Sequence, residues 1–402
     1  MKKTNRTLLS AVVSGAIAAT IACSAQATTD GQVKLGILAD MGGTYADICG
    51  SGCVIAAEMA IEDFGGKVLG KPIEMVSADS QLKPDVASAI ARKWVEDEGV
   101  DAIGGLVSSA VSGAVSKVNA DSKNITLISG SASNTFTTKT CSPYNVHWTY
   151  NVVALANGTV KPMVQAGKKK WFFITADYSF GHALEGMASK VINENGGEVL
   201  GNVRAPLGTT DFSSYILQAQ ASGADVVALA NAGNDTVNAL KAAAEFGLTA
   251  QMDVAGLLVF TPNAQAMDPA TAGGMRLTSG FYWDMDDETR QWSTRFEQRH
   301  GAIPSMIHAG VYSVTMHYLN AVKAAGTDDT DTVMKTMKAT KPNDFFARNA
   351  TLRPDGRMVH DMLYVEIKKK DERKDKNDIY KIIKVIPGDE AYSPMLPQCN
   401  FS

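Results

Sequence analysis

The feature that most constrains this chain is an alternation of short apolar runs with amphipathic helical stretches, which completes one series and then starts again. Residues 33–38 precede a helix over 51–64, 73–78 a helix over 84–98, and 102–104 a helix over 109–120, with 125–129 closing the series. The second series runs as a helix over 152–165, strand 170–175, helix 182–195, strand 198–205, helix 212–222, strand 225–229, helix 235–246 and strand 254–259. Strands separated by helices cannot pair as hairpins, so the units are parallel βαβ crossovers. The fold class is therefore α/β, with two doubly wound, Rossmann-like lobes in succession.

The last third offers helices over 288–300, 308–325 and 332–339, then strands 363–367 and 379–385, which is too little for a third domain. It reads as material returned to the two lobes. Lobe 1 is expected over 28–149 plus 283–361, and lobe 2 over 150–282 plus 362–402. The chain would then cross between lobes near Tyr150, Tyr282 and His360, and several short crossings side by side make a multi-crossing hinge. The charged run 368–378 reads as a solvated hairpin loop.

The N-terminus reads as an export signal: Lys2, Lys3 and Arg6 precede an apolar stretch from Leu8 to Ala22, and Ala25-Gln26-Ala27 is a small-residue cleavage site. Residues 1–27 are expected to be removed, leaving a periplasmic chain that starts at Thr28. Cys23 lacks the aliphatic residue three positions earlier that a lipoprotein signal needs, since Thr20 stands there. The net charge of −4 becomes −7 when the three basic residues of the signal go. A mildly acidic chain argues against nucleic acid or an anionic membrane surface as partner.

Four cysteines remain after cleavage, which in an exported protein points to two disulfides. Cys49 and Cys53 lie four apart at a helix start, whereas Cys141 and Cys399 lie in loops, so the expected pairing is 49–53 with 141–399. C-x3-C without a second pair nearby is a poor zinc signature.

Catalytic motifs are nearly absent. Gly65-Gly66-Lys67-Val68-Leu69-Gly70-Lys71 has the spacing of a phosphate loop, but Pro72 replaces the required Ser or Thr and the segment runs from helix to strand, so it reads as a helix C-cap and turn. No G-x-G-x-x-G follows a strand, and neither G-x-S-x-G nor H-E-x-x-H occurs. No cofactor or metal is implied. Of the six histidines, His147 alone is kept as a ligand candidate, because it abuts Trp148 and Tyr150 at a lobe crossing.

In open α/β sheets, ligands bind beyond the carboxyl ends of the strands. In lobe 1 those loops read Met41–Asp47 with Tyr45 and Asp47, then Leu106-Val107-Ser108-Ser109, then Gly130-Ser131-Ala132-Ser133-Asn134. Small hydroxylated residues before helices suit an anion such as a carboxylate, although N-capping explains any one of them. In lobe 2 they read Asp177–Gly181 with Tyr178 and Phe180, Asn231–Asp235 with Asn234, and Phe281–Asp284 with Tyr282 and Trp283. Their aromatic rings suit an organic body.

These loops, with 33–43, 101–109, 127–133, 173–181 and 224–235, resemble the periplasmic solute-binding proteins of branched-chain amino-acid-type (Leu/Ile/Val-binding-like) ABC importers, along nearly the whole mature chain. His147–Tyr150, Tyr178–Phe180 and Phe281–Asp284 resemble most a subgroup associated with aromatic carboxylates. The resemblance implies a type I periplasmic binding protein that is not an enzyme, a monomer closing on one small carboxylate and presenting it to a membrane permease. It implies that Ser108, Ser131 and Ser133 hold the carboxylate, and that Phe180 stands where amino-acid binders often carry Tyr. Amino-acid binders pair the ligand ammonium with an acid in the loop after 254–258, where this chain has Leu257 and its neighbours. A benzoate-like or phenylpropanoid acid is therefore expected. The alternatives are a branched-chain amino-acid binder, and an exported hydrolase in which Ser108 or Ser131 meets a base brought near by folding.

Overall fold

The computed structural model describes residues 29–401. The expected signal segment 1–27 and Cys23 lie outside the described residues.

The first sheet contains β1 (Lys34–Ala39), β2 (Glu74–Asp79), β3 (Ala102–Gly104), β4 (Ile125–Ile128) and β5 (Asn145–His147) in the order β2-β1-β3-β4-β5, all parallel. The second contains β6 (Lys170–Ala176), β7 (Glu198–Ala205), β8 (Val226–Ala230), β9 (Asp253–Gly256), β10 (Arg276–Ser279), β11 (Met362–Ile367) and β12 (Tyr380–Ile386). Its order is β12-β11-β10-β9-β8-β6-β7, parallel from β7 to β10, with β11 and β12 joined antiparallel. Central strands such as β8, Val-Val-Ala-Leu-Ala, are buried along their whole length because helices cover both faces. The edge strand β7 alternates exposed and half-buried residues.

Three helices complete the crossovers of the first sheet: α1 (Gly50–Phe64), α2 (Pro84–Glu96) and α3 (Ser109–Ser122). The second sheet uses α4 (Ser179–Glu194), α5 (Ser213–Ala221) and α6 (Asn234–Glu245). The expected helix over 152–165 forms, but its middle, Ala156–Val160, is π-helical. The late helices α7 (Asp287–His300), α8 (Met306–Ala325) and α9 (Thr330–Ala339) return to the first lobe, where α7 and α8 pack on α1 and α9 on α8. Gly65 caps α1 with a left-handed backbone, and Lys67–Val68 pairs with Lys71–Pro72, so the phosphate-loop-like segment is a cap and a tight hairpin.

The chain leaves the first sheet after β5, leaves the second after β10 and re-enters it at β11, and these crossings lie side by side. His360 Nε2 is 2.6 Å from Thr149 O. A methyl placed on Gly280 would stand 3.3 Å from the His360 ring and 3.6 Å from Thr149 O.

One expectation needs correcting: residues 362–402 do not all belong to lobe 2. Tyr392 joins the crossings, its hydroxyl 3.1 Å from Thr149 O and 3.0 Å from His360 Nε2. Beyond it the tail returns to lobe 1, where Cys399 is bonded to Cys141, in the connection between β4 and β5. The disulfide thus makes a fourth crossing. Cys49 and Cys53 form the other bridge, at the start of α1.

Candidate ligand-binding site

In the first sheet the strand order reverses between β1 and β3, and in the second between β6 and β8. Such reversals splay the following loops apart and open a crevice at the carboxyl ends. The two crevices face each other around a small cavity. Tyr45 and Ile48 after β1, Val107 after β3, and Gly130, Ala132 and Tyr150 beyond β4 and β5 form one wall. Tyr178 and Phe180 after β6, Ala232 after β8, and Leu258 and Phe260 after β9 form the other. The space between the walls is about 10 Å³, room for one water. A larger open groove of about 550 Å³, whose lining includes Lys168, Asp253, Arg276 and Glu366, lies at the amino ends of the second sheet, where Lys168 pairs with Asp253 and Arg276 with Glu366.

Tyr45 and Tyr178 close the cleft with a hydroxyl–hydroxyl hydrogen bond of 2.6 Å. Asp40 shapes the loop that carries Tyr45, accepting from Gly43 N at 2.9 Å and from Tyr45 N at 2.8 Å. Ser305 donates to Ile48 O at 2.8 Å, and His308 Nε2 lies 3.1 Å from Cys49 O, so the start of α8 holds the end of the same loop. Tyr150 donates to Gly130 O at 2.6 Å. Burial raises the Tyr45, Tyr150 and Tyr178 hydroxyls well above the usual phenol range, so all three are neutral donors. Asp235, at the start of α6, is pushed up to about 6 by burial, and its carboxylate accepts from Gly208 N at 3.2 Å.

Five of the residues singled out from the sequence, Tyr45, Ala132, Tyr150, Tyr178 and Phe180, line this cavity. The serines stand behind its wall. Ser109 Oγ accepts from Ser133 N at 3.2 Å, Ser133 Oγ is 2.9 Å from Thr135 Oγ1, and Ser131 Oγ pairs with Ser112 Oγ. Ser108 precedes α3 without a side-chain capping bond. Among the described residues no base reaches the Ser131 hydroxyl: His147 Nε2 binds the Ser131 carbonyl instead, 2.7 Å away, and burial holds the imidazole well below its ordinary pKa.

Several expectations are corrected. His147 is wholly buried, and Trp148 turns its indole N–H into the first lobe, to Ser313 Oγ at 3.0 Å. Tyr282 and Trp283 bind the loop over 368–378: Trp283 donates to Asn377 O at 2.8 Å, and Tyr282 Oη accepts from Ile379 N at 2.9 Å. Asn231 turns its amide oxygen to Thr236 Oγ1, 2.7 Å away, and Asp47 and Asn234 are exposed. Leu257 is buried in the core while its neighbour Leu258 faces the cavity, at the bend that follows β9. The wall residues Ile48, Val107, Gly130, Ala232, Leu258 and Phe260 were missed, although the strand-end rule points to every one of their loops. Among the described residues no group of three or more His, Cys, Asp or Glu could hold a metal ion.

Comparison with known proteins agrees with this architecture. A family model described as periplasmic binding protein matches residues 32–373. A periplasmic binding protein from Burkholderia mallei is 46% identical, with TM-score 0.89 over 92% of this chain and 98% of that one. A branched chain amino acid ABC transporter periplasmic ligand-binding protein from Burkholderia xenovorans LB400 is 37% identical, with TM-score 0.81 over 90% and 97%. A solute-binding protein of an R. palustris ABC transporter, in complex with benzoate, shares the fold at 20% identity, TM-score 0.78 over 89% and 97%. Leu/Ile/Val-binding protein homolog 6 of Brucella melitensis biotype 1 is 27% identical over 232 residues, 57% of this chain and 58% of its own length.

Proposed function

We propose, from the premise that this chain belongs to the periplasmic binding protein family, that it captures an aromatic carboxylate between its two lobes and delivers it to the permease of an ABC importer. Related proteins of this fold are solute-binding components of ABC transporters rather than enzymes, and the Ser131 geometry offers no nucleophile–base pair. The lobes are taken as 28–149 plus 283–361 with the tail from 397, and 150–282 plus 362–396. The mature chain is taken as a periplasmic monomer freed from its signal near Ala27.

The observation that carries the ligand class is the wall itself. Five aromatic rings, Tyr45, Tyr150, Tyr178, Phe180 and Phe260, surround the cavity among aliphatic neighbours, and no ionised side chain lines it. Aromatic faces suit a ring, and the start of α3, which follows the wall residue Val107, supplies backbone N–H donors of the kind that hold a carboxylate. Among the described residues that line this wall none is an acid, and a buried ammonium without a direct counter-charge costs several kcal/mol. Benzoate support comes also from the R. palustris relative. The cavity is too small for a ring while Tyr45 and Tyr178 touch, so entry requires the lobes to part and closure follows binding.

A second reading, capture of a branched-chain amino acid, is favoured by one feature: the carboxylate of Asp235 is close enough for its charge to act on both Tyr45 and Tyr178. The deciding experiment is a thermal-shift panel of leucine, isoleucine and valine against benzoates and cinnamates, since a tight ligand stabilises by mass action. Stabilisation by an aromatic acid is expected. Stabilisation by leucine and by no aromatic acid refutes the reading.

A further inference from the structure

We propose that the Cys49–Cys53 bridge positions the ligand wall of the first lobe, so that removing it weakens solute capture more than it weakens the fold; the inference rests on the reading of the cleft as the capture site, not on which acid is captured. Neither cysteine lines the cavity. Ile48, the residue before the bridge, does, and so does Tyr45 one turn earlier. Between them runs a single 3₁₀ turn, Ala46–Ile48, held by long bonds: Ile48 N and Cys49 N both donate to Tyr45 O at 3.3 Å. The chain then turns into α1 through an irregular backbone at Cys49 (φ −143°, ψ −79°) and a left-handed one at Gly50 (φ +38°). The Cys49 side chain makes no capping hydrogen bond to α1, being committed to Cys53 four residues on. The covalent link therefore fixes the joint between turn and helix, where a capping side chain would otherwise act.

The bridge also reaches a second wall loop of this lobe. Cys49 Sγ stands 3.3 Å from Gly105 O, after β3 and two residues before the wall residue Val107. From the other side α8 presses on the same joint: a methyl on Gly52 would stand 2.5 Å from His308 Nε2, which itself lies 3.1 Å from Cys49 O. Both cysteines are wholly buried between these contacts. In so close-packed a place a displacement of Cys49 passes directly to Ile48 and to the approach to Val107. As a staple for the whole chain the bridge is poorly placed. On the chain-entropy account a cross-link stabilises more the longer the loop it closes, and this one spans a separation of four residues where Cys141–Cys399 spans 258. Local geometry is what so short a link can fix, and the geometry at this joint is that of the wall.

The test compares the full mature protein with the double variant Cys49→Ala/Cys53→Ala, which removes the link without adding a buried hydroxyl, and with Cys399→Ser, which opens the distant bridge. Each is titrated calorimetrically with benzoate, cinnamate and leucine and melted from the same sample. In the double variant the affinity for whichever probe the native protein binds should fall about tenfold, as for a wall that holds its binding form about a tenth of the time. Its Tm should fall less than that of Cys399→Ser, whose affinity in turn should change less. Hydrogen exchange without ligand gives a second readout: the amides of Tyr45 and Ile48 should exchange faster in the double variant while those of β1 stay protected. Native affinity in the double variant overturns the proposal, as does a Tm below that of Cys399→Ser or a failure to fold. If the native protein binds none of the three probes, exchange decides, and unchanged protection at Tyr45 and Ile48 overturns the proposal. Capture of leucine with no aromatic acid bound defeats the ligand class proposed above and leaves this inference to be judged on leucine.

Discussion

Arg357 is fully buried at the crossings between lobes, and replacing it tests how those crossings are held. Its Nε donates to Met358 O at 2.8 Å, and its two terminal nitrogens donate to Tyr150 O at 3.0 Å, Trp148 O at 2.6 Å and Tyr392 Oη at 3.3 Å. The guanidinium also lies over the Tyr392 ring, 4.4 Å from its centroid. One side chain thus ties together the first crossing, the third and the tail. The nearest acid, Asp355, is already paired with Arg353 at 2.6 Å, so carbonyl oxygens and an aromatic face are what hold this cation.

Burial lowers the Arg357 pKa to about 10, so relative to an ordinary arginine its charged form is disfavoured by about 3 kcal/mol. Against this stand three charge-assisted bonds to carbonyls, at about 1.5–3 kcal/mol each. Arg357→Met keeps the stem and removes the charge, relieving the desolvation but leaving the Trp148 and Tyr150 carbonyls buried without partners. The expected net loss is about 3 kcal/mol, seen in calorimetry as a fall in Tm of about 5 °C or more. Arg357→Lys should lie between the two, because one ammonium cannot span the fork that reaches both carbonyls. A Tm for Arg357→Met within about 1 °C of the native value would refute the reasoning, showing that packing alone holds the crossings.

Gly233→Ala should weaken ligand binding by more than it lowers Tm, because the new methyl would meet Thr44 O at 2.7 Å and Tyr45 Cδ1 at 2.9 Å across the closed cleft, besides straining a backbone at φ +63°; titration and melting on the same sample check the order. Cys399→Ser opens a loop of 258 residues and should cost up to about 5.5 kcal/mol on the chain-entropy account; an unchanged melt under oxidising conditions would contradict it. Burial pushes His308 down to about 3 and His360 down to about 4, so both are neutral when folded and gain protons on unfolding below pH about 6.5. Each therefore withdraws stability as pH falls from about 6.5 toward 4, by up to about 1.4 kcal/mol per pH unit. His360→Gln should accordingly lose less stability than the native chain between pH 7 and 5 in paired denaturant titrations, and an identical loss counts against the assignment.

The fold was legible wherever a strand is buried on both faces, because such strands are continuous apolar runs between helices. β3 and β7 were read to the residue, and most other elements to within two or three. β5 and β10 were not read. Asn145–His147 and Arg276–Ser279 are short and largely polar, and only pairing with β4, β9 and β11 makes them strands. The site was legible as a set of loops, since strand ends in an α/β sheet are where ligands meet helix starts. Its individual side chains were not. Whether Leu257 or Leu258 faces the cleft is a matter of one backbone step, and whether Tyr282 and Trp283 turn inward depends on a loop almost a hundred residues away. The tail's return to lobe 1 was implicit in pairing Cys399 with Cys141, though assigning 362–402 to lobe 2 contradicted it.

On the proposed function, closure of the two lobes would couple these features into one device. The closed cleft is held from within by the Tyr45–Tyr178 bond, worth about 1 kcal/mol, and by close contacts such as Thr44 against Gly233. The crossings at Thr149, Gly280, His360 and Tyr392 are held far more firmly, by buried hydrogen bonds and the Cys141–Cys399 bridge beyond them. Weak contacts across the cleft and strong ones at the crossings would make opening a rotation about the crossings, with each lobe moving as a unit. Moving such an equilibrium from 1:99 to 99:1 takes about 5.5 kcal/mol of preference for the closed form. On the proposed function, a ligand that touches both walls only when they meet would supply that preference from contacts divided between them, and its reward depends on closure because neither wall alone offers them all.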